Sequence, residues 1–357
     1  MYDAEEVMTD FLTLLDLDMQ ELTQYVTDMG YPKFRATQVF DAMYQGKELS
    51  EITTLPRDLL EKIKDKYPSF SIVKRLESKD GTKKYVYRFA DGEIVEGVFM
   101  RYKYGNTLCV STQVGCRMGC KFCASGLYGL KRNLSAGEIL QQIVTVNRDN
   151  GGDAKNRSIT NVVLMGSGEP LDNYDNVTKF FRLVTSERGL NISQRNISLS
   201  TCGLVPNIYR LADDGFSVTL TISLHAPNDE IRQKTMPIAN KYSVKEILDA
   251  CKYYFDKTGR RVVFEYTLVD GLNDTDYCVK ELGRILHGFP THVNVIPLNF
   301  VKERGLKGSP VARAHDFAKK LNDSGVSATV RRTLGADIGG ACGQLRNKLL
   351  DPTPPSP

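Results

Sequence analysis

The hydrophobic pattern changes period twice along the chain. "DMQELTQYVTDMG", "KFRATQVFDAMYQG" and "LPRDLLEKIKDKY" place apolar residues three and four apart, the spacing of one buried helix face. The first two end at a glycine, a common helix-stop signal, and Pro56 stands where the first turn of the third would begin. This spacing predicts a helical accessory domain over residues 1–70. Across residues 71–105 the period shortens: "KKYVYRFADGEIVEGVFM" alternates and turns at Asp91-Gly92, which predicts a small β-hairpin linker.

From residue 106 a third rhythm runs to 345. Short β-branched runs recur as "TLCVST", "NVVLMG", "NISLST", "VTLTISL", "RVVFEYTLV" and "HVNVIPL". Helix-compatible stretches separate them, two opened by capping boxes, Ser135 with Glu138 and Ser243 with Glu246. Strands alternating with helices predict an α/β fold: a parallel sheet with helical crossovers, forming a partial six-stranded TIM-like barrel. "SATVRRT" could add a strand, and "DPTPPSP" reads as a disordered Pro-rich tail over residues 346–357.

Composition narrows the setting. The 357 residues, 41% of them apolar, can bury a large core. No run approaches the ~20 apolar residues that span a bilayer, and the acidic start "MYDAEEVMTD" lacks the pattern of a signal peptide. A cytoplasmic location with no membrane partner is the expectation, so the eight cysteines point to metal or thiol chemistry rather than a disulfide framework. Residues 1–32 carry eight acidic side chains and no Lys or Arg; removing that −8 from a net +4 leaves the rest at +12. A basic body suits a polyanion such as RNA, and ordinary surface solvation accounts for the charge equally well.

In parallel α/β folds the chemistry collects at the C-terminal ends of the strands, and there the informative residues fall. Cys116, Cys120 and Cys123 ("CRMGCKFC") follow the first strand, "GSGEP" the second, and Ser223-Leu224-His225 the fourth. Structural zinc wants four ligands, and Cys109 could complete a set. An iron–sulfur cluster normally takes four cysteines, so three leave one iron open, as a catalytic metal requires. Cys342 lies far off in a Gly-flanked loop, "GGACGQL". Cys251 and Cys278 fit helical faces, and Cys202 has no assigned role.

The C-x₃-C-x₂-C spacing after a first barrel strand, with Phe122 between the last two cysteines, resembles the radical S-adenosylmethionine superfamily. The resemblance implies a [4Fe-4S] cluster on Cys116, Cys120 and Cys123 whose open iron binds S-adenosyl-L-methionine. It assigns Gly168, Glu169, Ser200, Ser223, Leu224, His225 and Asn299 to that cofactor. "CVSTQVGCRMGCKFCASG", "GSGEPLDNYDN", "SLSTCG", "SLHAPNDEIR", "VIPLNF" and "ACGQL" together are similar to the RlmN/Cfr family of RNA methyltransferases. One departure is Ser167, where a larger apolar residue is expected.

That family implies methylation of carbon 2 of an adenosine in 23S ribosomal RNA and of one in certain tRNAs. Cys342 would be the S-methylcysteine intermediate and Cys109 the resolving cysteine that forms a disulfide with it. Glu96 would be the proton acceptor, although the hairpin's alternation turns it toward solvent. Implied partners are the 23S rRNA and tRNA substrates, an electron donor such as flavodoxin or ferredoxin, and a thioredoxin-like reductant acting on a monomer. Lys302, Arg304, Arg331 and Arg332 are candidates for the RNA surface. Two alternatives remain: a Cfr-type enzyme acting at carbon 8, and a non-catalytic zinc-stabilised RNA-binding protein.

Overall fold

A computed structural model describes residues 12–346; Asp3, Glu5, Glu6, Asp10 and all but the first residue of the expected Pro-rich tail lie outside them. The three expected N-terminal helices form as α1 (Met19–Asp28), α2 (Phe34–Tyr44) and α3 (Arg57–Ile63). Asp18 caps α1 by accepting from the Gln20 and Glu21 N–H groups, and Pro56 occupies the cap of α3, one residue earlier than expected. Their apolar stripes, including Leu22, Val26, Val39, Phe40 and Leu59, join the core of the rest of the chain. Asp16 reinforces this docking. Buried, it accepts from the Gly137 N–H in the first turn of α4 (Ala136–Asp149) at 2.6 Å, so one residue of the acidic N-terminal segment serves the interior rather than the surface.

The expected hairpin carries one strand more than its alternation revealed. β1 (Phe70–Glu77), β2 (Lys83–Phe89) and β3 (Ile94–Tyr102) are antiparallel, and β3 pairs in turn with β4 (Gly105–Cys109). The region is therefore an extension of the main sheet, not a separate linker. β1 escaped because "FSIVKRLE" is only half-buried and interleaves charge with its apolar residues. Two short antiparallel strands, β5 (Gln113–Gly115) and β6 (Leu130–Asn133), bracket the cysteine triplet.

The remaining strands are β7 (Asn161–Leu164), β8 (Ile197–Thr201), β9 (Thr219–Ser223), β10 (Val262–Leu268), β11 (Thr291–Pro297) and β12 (Ala328–Val330). From β4 through β7 to β12 every neighbouring pair is parallel. All six expected strands are present, and "SATVRRT" supplies the seventh. The sheet order runs β1-β2-β3-β4-β7-β8-β9-β10-β11-β12 without closing on itself, which makes a partial barrel. Crossover helices α5 (Tyr174–Thr185), α6 (Val205–Asp213), α8 (Val244–Thr258), α9 (Asp276–Leu286) and α10 (Val311–Asp323) cover the outside, and the short α7 (Asp229–Gln233) follows β9. Leu199, Leu220 and Ile222, wholly buried in the core, lie at the period-2 positions opposite those that line the bore. Among the described residues no helix is long and apolar enough to cross a membrane.

Candidate active site

The strand ends open into a cleft of about 920 Å³. Cys116, Cys120 and Cys123 line one wall; Gly168, Glu169, Ser200, Ser223, His225 and Asn299 line the others, and Cys342 faces them. The cysteine loop is fixed by its backbone. Cys116 N–H donates to the Gly129 carbonyl across the β5–β6 pair, and Lys121 N–H to the Thr235 carbonyl. Burial, and then the neighbouring thiols and Glu169, push the Cys116 thiol up to about 12 and that of Cys120 higher still. Thiols so desolvated stay protonated until a cation replaces the protons. Among the described residues no three Cys, His, Asp or Glu side chains converge on a single ion position. Three thiols on one loop at C-x₃-C-x₂-C spacing are the donor chemistry that an iron–sulfur cluster takes. Cys109 stands apart on β4, buried with Val98 and Met100, and does not complete a four-sulfur set.

The glycine-rich turn after β7 is shaped by close approach. Gly168 has φ +106°, and a side chain there would meet Gln113 and Thr112 at 2.7–2.8 Å. Ser167, the family departure, is buried, and its N–H donates to the Ser111 Oγ at 2.9 Å. The Glu169 carboxylate accepts from the Leu171 N–H at 3.0 Å and the Cys202 N–H at 2.7 Å, while burial raises its pKa. Ser200 and Ser223 hydroxyls are 3.4 Å apart. His225 is buried at φ +56°. Its Nδ1 accepts from the Thr267 N–H at 2.9 Å, which leaves the ring proton on Nε2. Burial, then Arg232, lower its pKa to about 3, so the ring is neutral. Its edge meets Phe122, centroids 4.7 Å apart. Leu224 is wholly buried and absent from the cleft lining; its backbone carbonyl accepts from Arg232 Nε and its N–H donates to the Glu265 carbonyl.

The Cys342 loop is strapped from several sides. Asn299 Nδ2 donates to the Cys342 carbonyl at 3.1 Å, Ala124 N–H to the Gly343 carbonyl at 2.7 Å, and Ser125 Oγ to the Leu345 carbonyl at 3.0 Å. Glu96 corrects its expected solvent-facing position. It is 1% exposed, pairs with Lys84 at 2.6 Å, and accepts from the Arg346 N–H at 2.7 Å. Lys84 donates in turn to the Gly339 carbonyl at 3.0 Å. This buried ion pair thus grips the loop on both sides of Cys342, outside the cleft lining. The hairpin's alternation suggested otherwise because the loop that buries Glu96 comes from 250 residues away.

Behind the cleft, Cys109 is buried and its thiol is pushed up to about 12 by burial and then by Cys342, with Arg331 acting in the opposite sense. Of the basic residues expected at an RNA surface, Arg331 and Arg304 are half-buried and hold interior partners. Arg331 lines the cleft, pairs with Glu265 at 3.1 Å and touches the Met165 sulfur at 3.5 Å. Arg304 Nε donates to the Cys123 carbonyl at 2.9 Å. Lys302 and Arg332 are exposed. Cys251 and Cys278 are buried on α8 and α9. Sequence reasoning also missed Arg232, wholly buried, which ties the Cys202, Ser223 and Leu224 carbonyls together. Glu265 was missed too, although a carboxylate amid the apolar run "RVVFEYTLV" was a signal for it.

Known proteins share this arrangement. Residues 110–278 match the radical SAM superfamily, and residues 12–67 match the ribosomal RNA large subunit methyltransferase N-terminal domain. The chain is 47% identical to a probable dual-specificity RNA methyltransferase RlmN of Lachnoclostridium phytofermentans, covering 97% of each. It is 51% identical to one of Clostridium perfringens, covering 94% of this chain and 97% of that one. A radical SAM methyltransferase from Sphaerobacter thermophilus superposes with a TM-score of 0.90 at 41% identity, over 95% of this chain and 100% of that one. With its radical SAM barrel, its N-terminal domain and relatives alike over nearly their whole length, the chain belongs to the RlmN family of dual-specificity radical SAM RNA methyltransferases.

Proposed function

We propose that this protein methylates carbon 2 of an adenosine in 23S ribosomal RNA, and of one in certain tRNAs, through a methyl group carried on Cys342. The observation that carries this reading is the meeting of three sources of thiol at one cleft: the triplet loop, the exposed Cys342, and Cys109 buried behind it. Carbon 2 of adenine is too weakly nucleophilic to attack a sulfonium, so ordinary methyl transfer is closed. A [4Fe-4S] cluster held by Cys116, Cys120 and Cys123, with S-adenosyl-L-methionine, supplies radical chemistry there when bound.

The chain's own groups then divide the work. Gly168 admits backbone close to the cofactor, and Glu169, Ser200, Ser223, His225 and Asn299 offer polar contacts around it. Cys342, exposed, accepts the methyl as a nucleophile. Arg331, held by Glu265, lines the cleft with Cys342 and adds positive charge near Cys109, which favours the Cys109 thiolate against the effect of burial. Once the methyl carbon is bonded to the ring, one electron must leave to the cluster and one ring proton to a protein base; Glu96 and Cys109 are the candidates to take the proton. Cys109 thiolate then attacks the Cys342 sulfur, forming a disulfide. The bond from that sulfur to the methylene carbon breaks with its electron pair left on carbon, and the carbon takes up a proton to become the methyl of the freed product. A thioredoxin-like reductant would restore both thiols from the disulfide. A monomer served by a flavodoxin or ferredoxin donor completes the reading. The test is nucleoside mass analysis after incubating oxygen-free, reconstituted protein with S-adenosyl-L-methionine and unmodified RNA. 2-Methyladenosine supports the proposal; 8-methyladenosine as main product, as a Cfr-type enzyme would give, overturns it.

A further inference from the structure

Beneath the cysteine cleft the barrel holds a second, larger opening of about 1260 Å³. The two meet at Met165, Glu265 and Arg331, which line both. Strand residues face the bore at every second position. In the lower half these are Asn161 on β7, Ser198 on β8, Thr219 and Thr221 on β9, Asn294 on β11 and Thr329 on β12. Closed barrels fill such positions with Val, Ile and Leu and pack solid. Here hydroxyls and amides share the wall with Met100, Val163 and Val263 around open space, a lining that offers a flat heteroaromatic guest both apolar contact and hydrogen-bond partners.

The edge of this opening is equally specific. Tyr102 and Tyr104 stack with centroids 5.0 Å and planes 11° apart, and Tyr104 is 76% exposed. Arg195 and Arg332 are exposed in the same lining, and among the described residues neither joins a salt bridge. Exposed aromatic faces beside unpaired arginines are the combination that holds single-stranded nucleic acid, by base stacking and phosphate contact.

We infer that this lower opening receives the target nucleotide and its neighbour from the RNA, so that base and cofactor reach Cys342 from opposite sides. The inference rests on the proposed function and deepens it. A methyl carbon that must touch a radical source and then an adenine needs both within reach. The upper cleft is lined by the cysteine triplet and the residues offered to the cofactor, which leaves the lower opening for the base.

The test measures binding of a short RNA stem-loop, with an unpaired adenosine, to the full-length protein by fluorescence anisotropy. Tyr104→Ala with Arg332→Ala, both at exposed positions, should weaken RNA binding by about tenfold or more. The same change should lower the slope of log affinity on log salt by about 1, with S-adenosyl-L-methionine binding unchanged. Ser198→Trp, which obstructs the bore, should block RNA methylation while Cys342 still acquires a methyl group from S-adenosyl-L-methionine. RNA affinity equal to wild type in the double variant overturns the inference, as does joint loss of RNA and S-adenosyl-L-methionine binding. Weakening of an acidic peptide in place of RNA overturns it too. The functional reading fails separately, if the wild type yields no methylated nucleoside.

Discussion

The loop of Cys116, Cys120 and Cys123 and the loop of Cys342 deliver thiols to one cleft, yet they are anchored in different ways. The first hangs between two short strands close in sequence, β5 and β6, and its thiols lie within eight residues of one another. The second is tied to β2 and β3 through Lys84 and Glu96, and to the turn between β1 and β2, where Asp80 accepts from Gly335 N–H and Ser78 donates to Asp337. Local spacing suffices to assemble a metal-binding loop. A nucleophile that must reach across the cleft needs a scaffold from elsewhere, and the strands before the barrel supply one.

Substitutions in the two loops should separate these roles, and the largest effects come from the thiols themselves. Cys120→Ala should abolish both cluster absorbance and methylation, whereas Cys342→Ala should abolish methylation with cluster absorbance intact. Loss of the cluster in Cys342→Ala would erase the distinction. Cys109→Ala should stop turnover after the bond to RNA has formed, leaving a protein–RNA adduct visible on denaturing gels. Because burial pushes the Cys109 thiol up to about 12, release in the wild type should quicken as pH rises from 7 toward 9.

The scaffold is tested next. Lys84→Met leaves the Glu96 carboxylate buried without its partner and should cost about 3–5 kcal/mol in denaturant melts. Lys84→Met with Glu96→Leu should recover much of that stability. Cys342 should still alkylate faster than in the wild type, because the straps on Gly339 and Arg346 are gone. Unchanged alkylation would mean that the pair does not hold the loop.

The smallest effect concerns pH. His225 takes up a proton near 6.5 when unfolded but only at about 3 when folded, through burial and then Arg232. Its contribution is therefore fully present above about 6.5 and declines as pH falls from there toward 3, by up to about 1.4 kcal/mol per unit. Urea melts at pH 7 and pH 5 should show this slope, and His225→Asn should flatten it.

The same contrast explains what the sequence made legible. The triplet, the glycine turn and the polar strand ends could be read because their meaning lies in short spacings and in the rule that parallel strands share one rim. Period and caps likewise revealed α1–α3 and the six barrel strands. Glu96 was misplaced because the 339–346 loop that buries it is distant in sequence, and the interior partners of Arg331 and Arg304, Glu265 on β10 and the Cys123 carbonyl, were hidden for the same reason. β1 was missed because a half-buried edge strand has no clean alternation, and Leu224, assigned to the cofactor from its place at a strand end, has its side chain in the core.

The most direct measurement uses S-adenosyl-L-methionine carrying three deuterium atoms on its methyl group. If that methyl is first parked on Cys342 and then loses a hydrogen before joining the base, the peptide containing Cys342 gains the labelled group. The RNA product then retains two of the three labels. A product retaining all three, or a Cys342 peptide that never gains mass, would contradict the account.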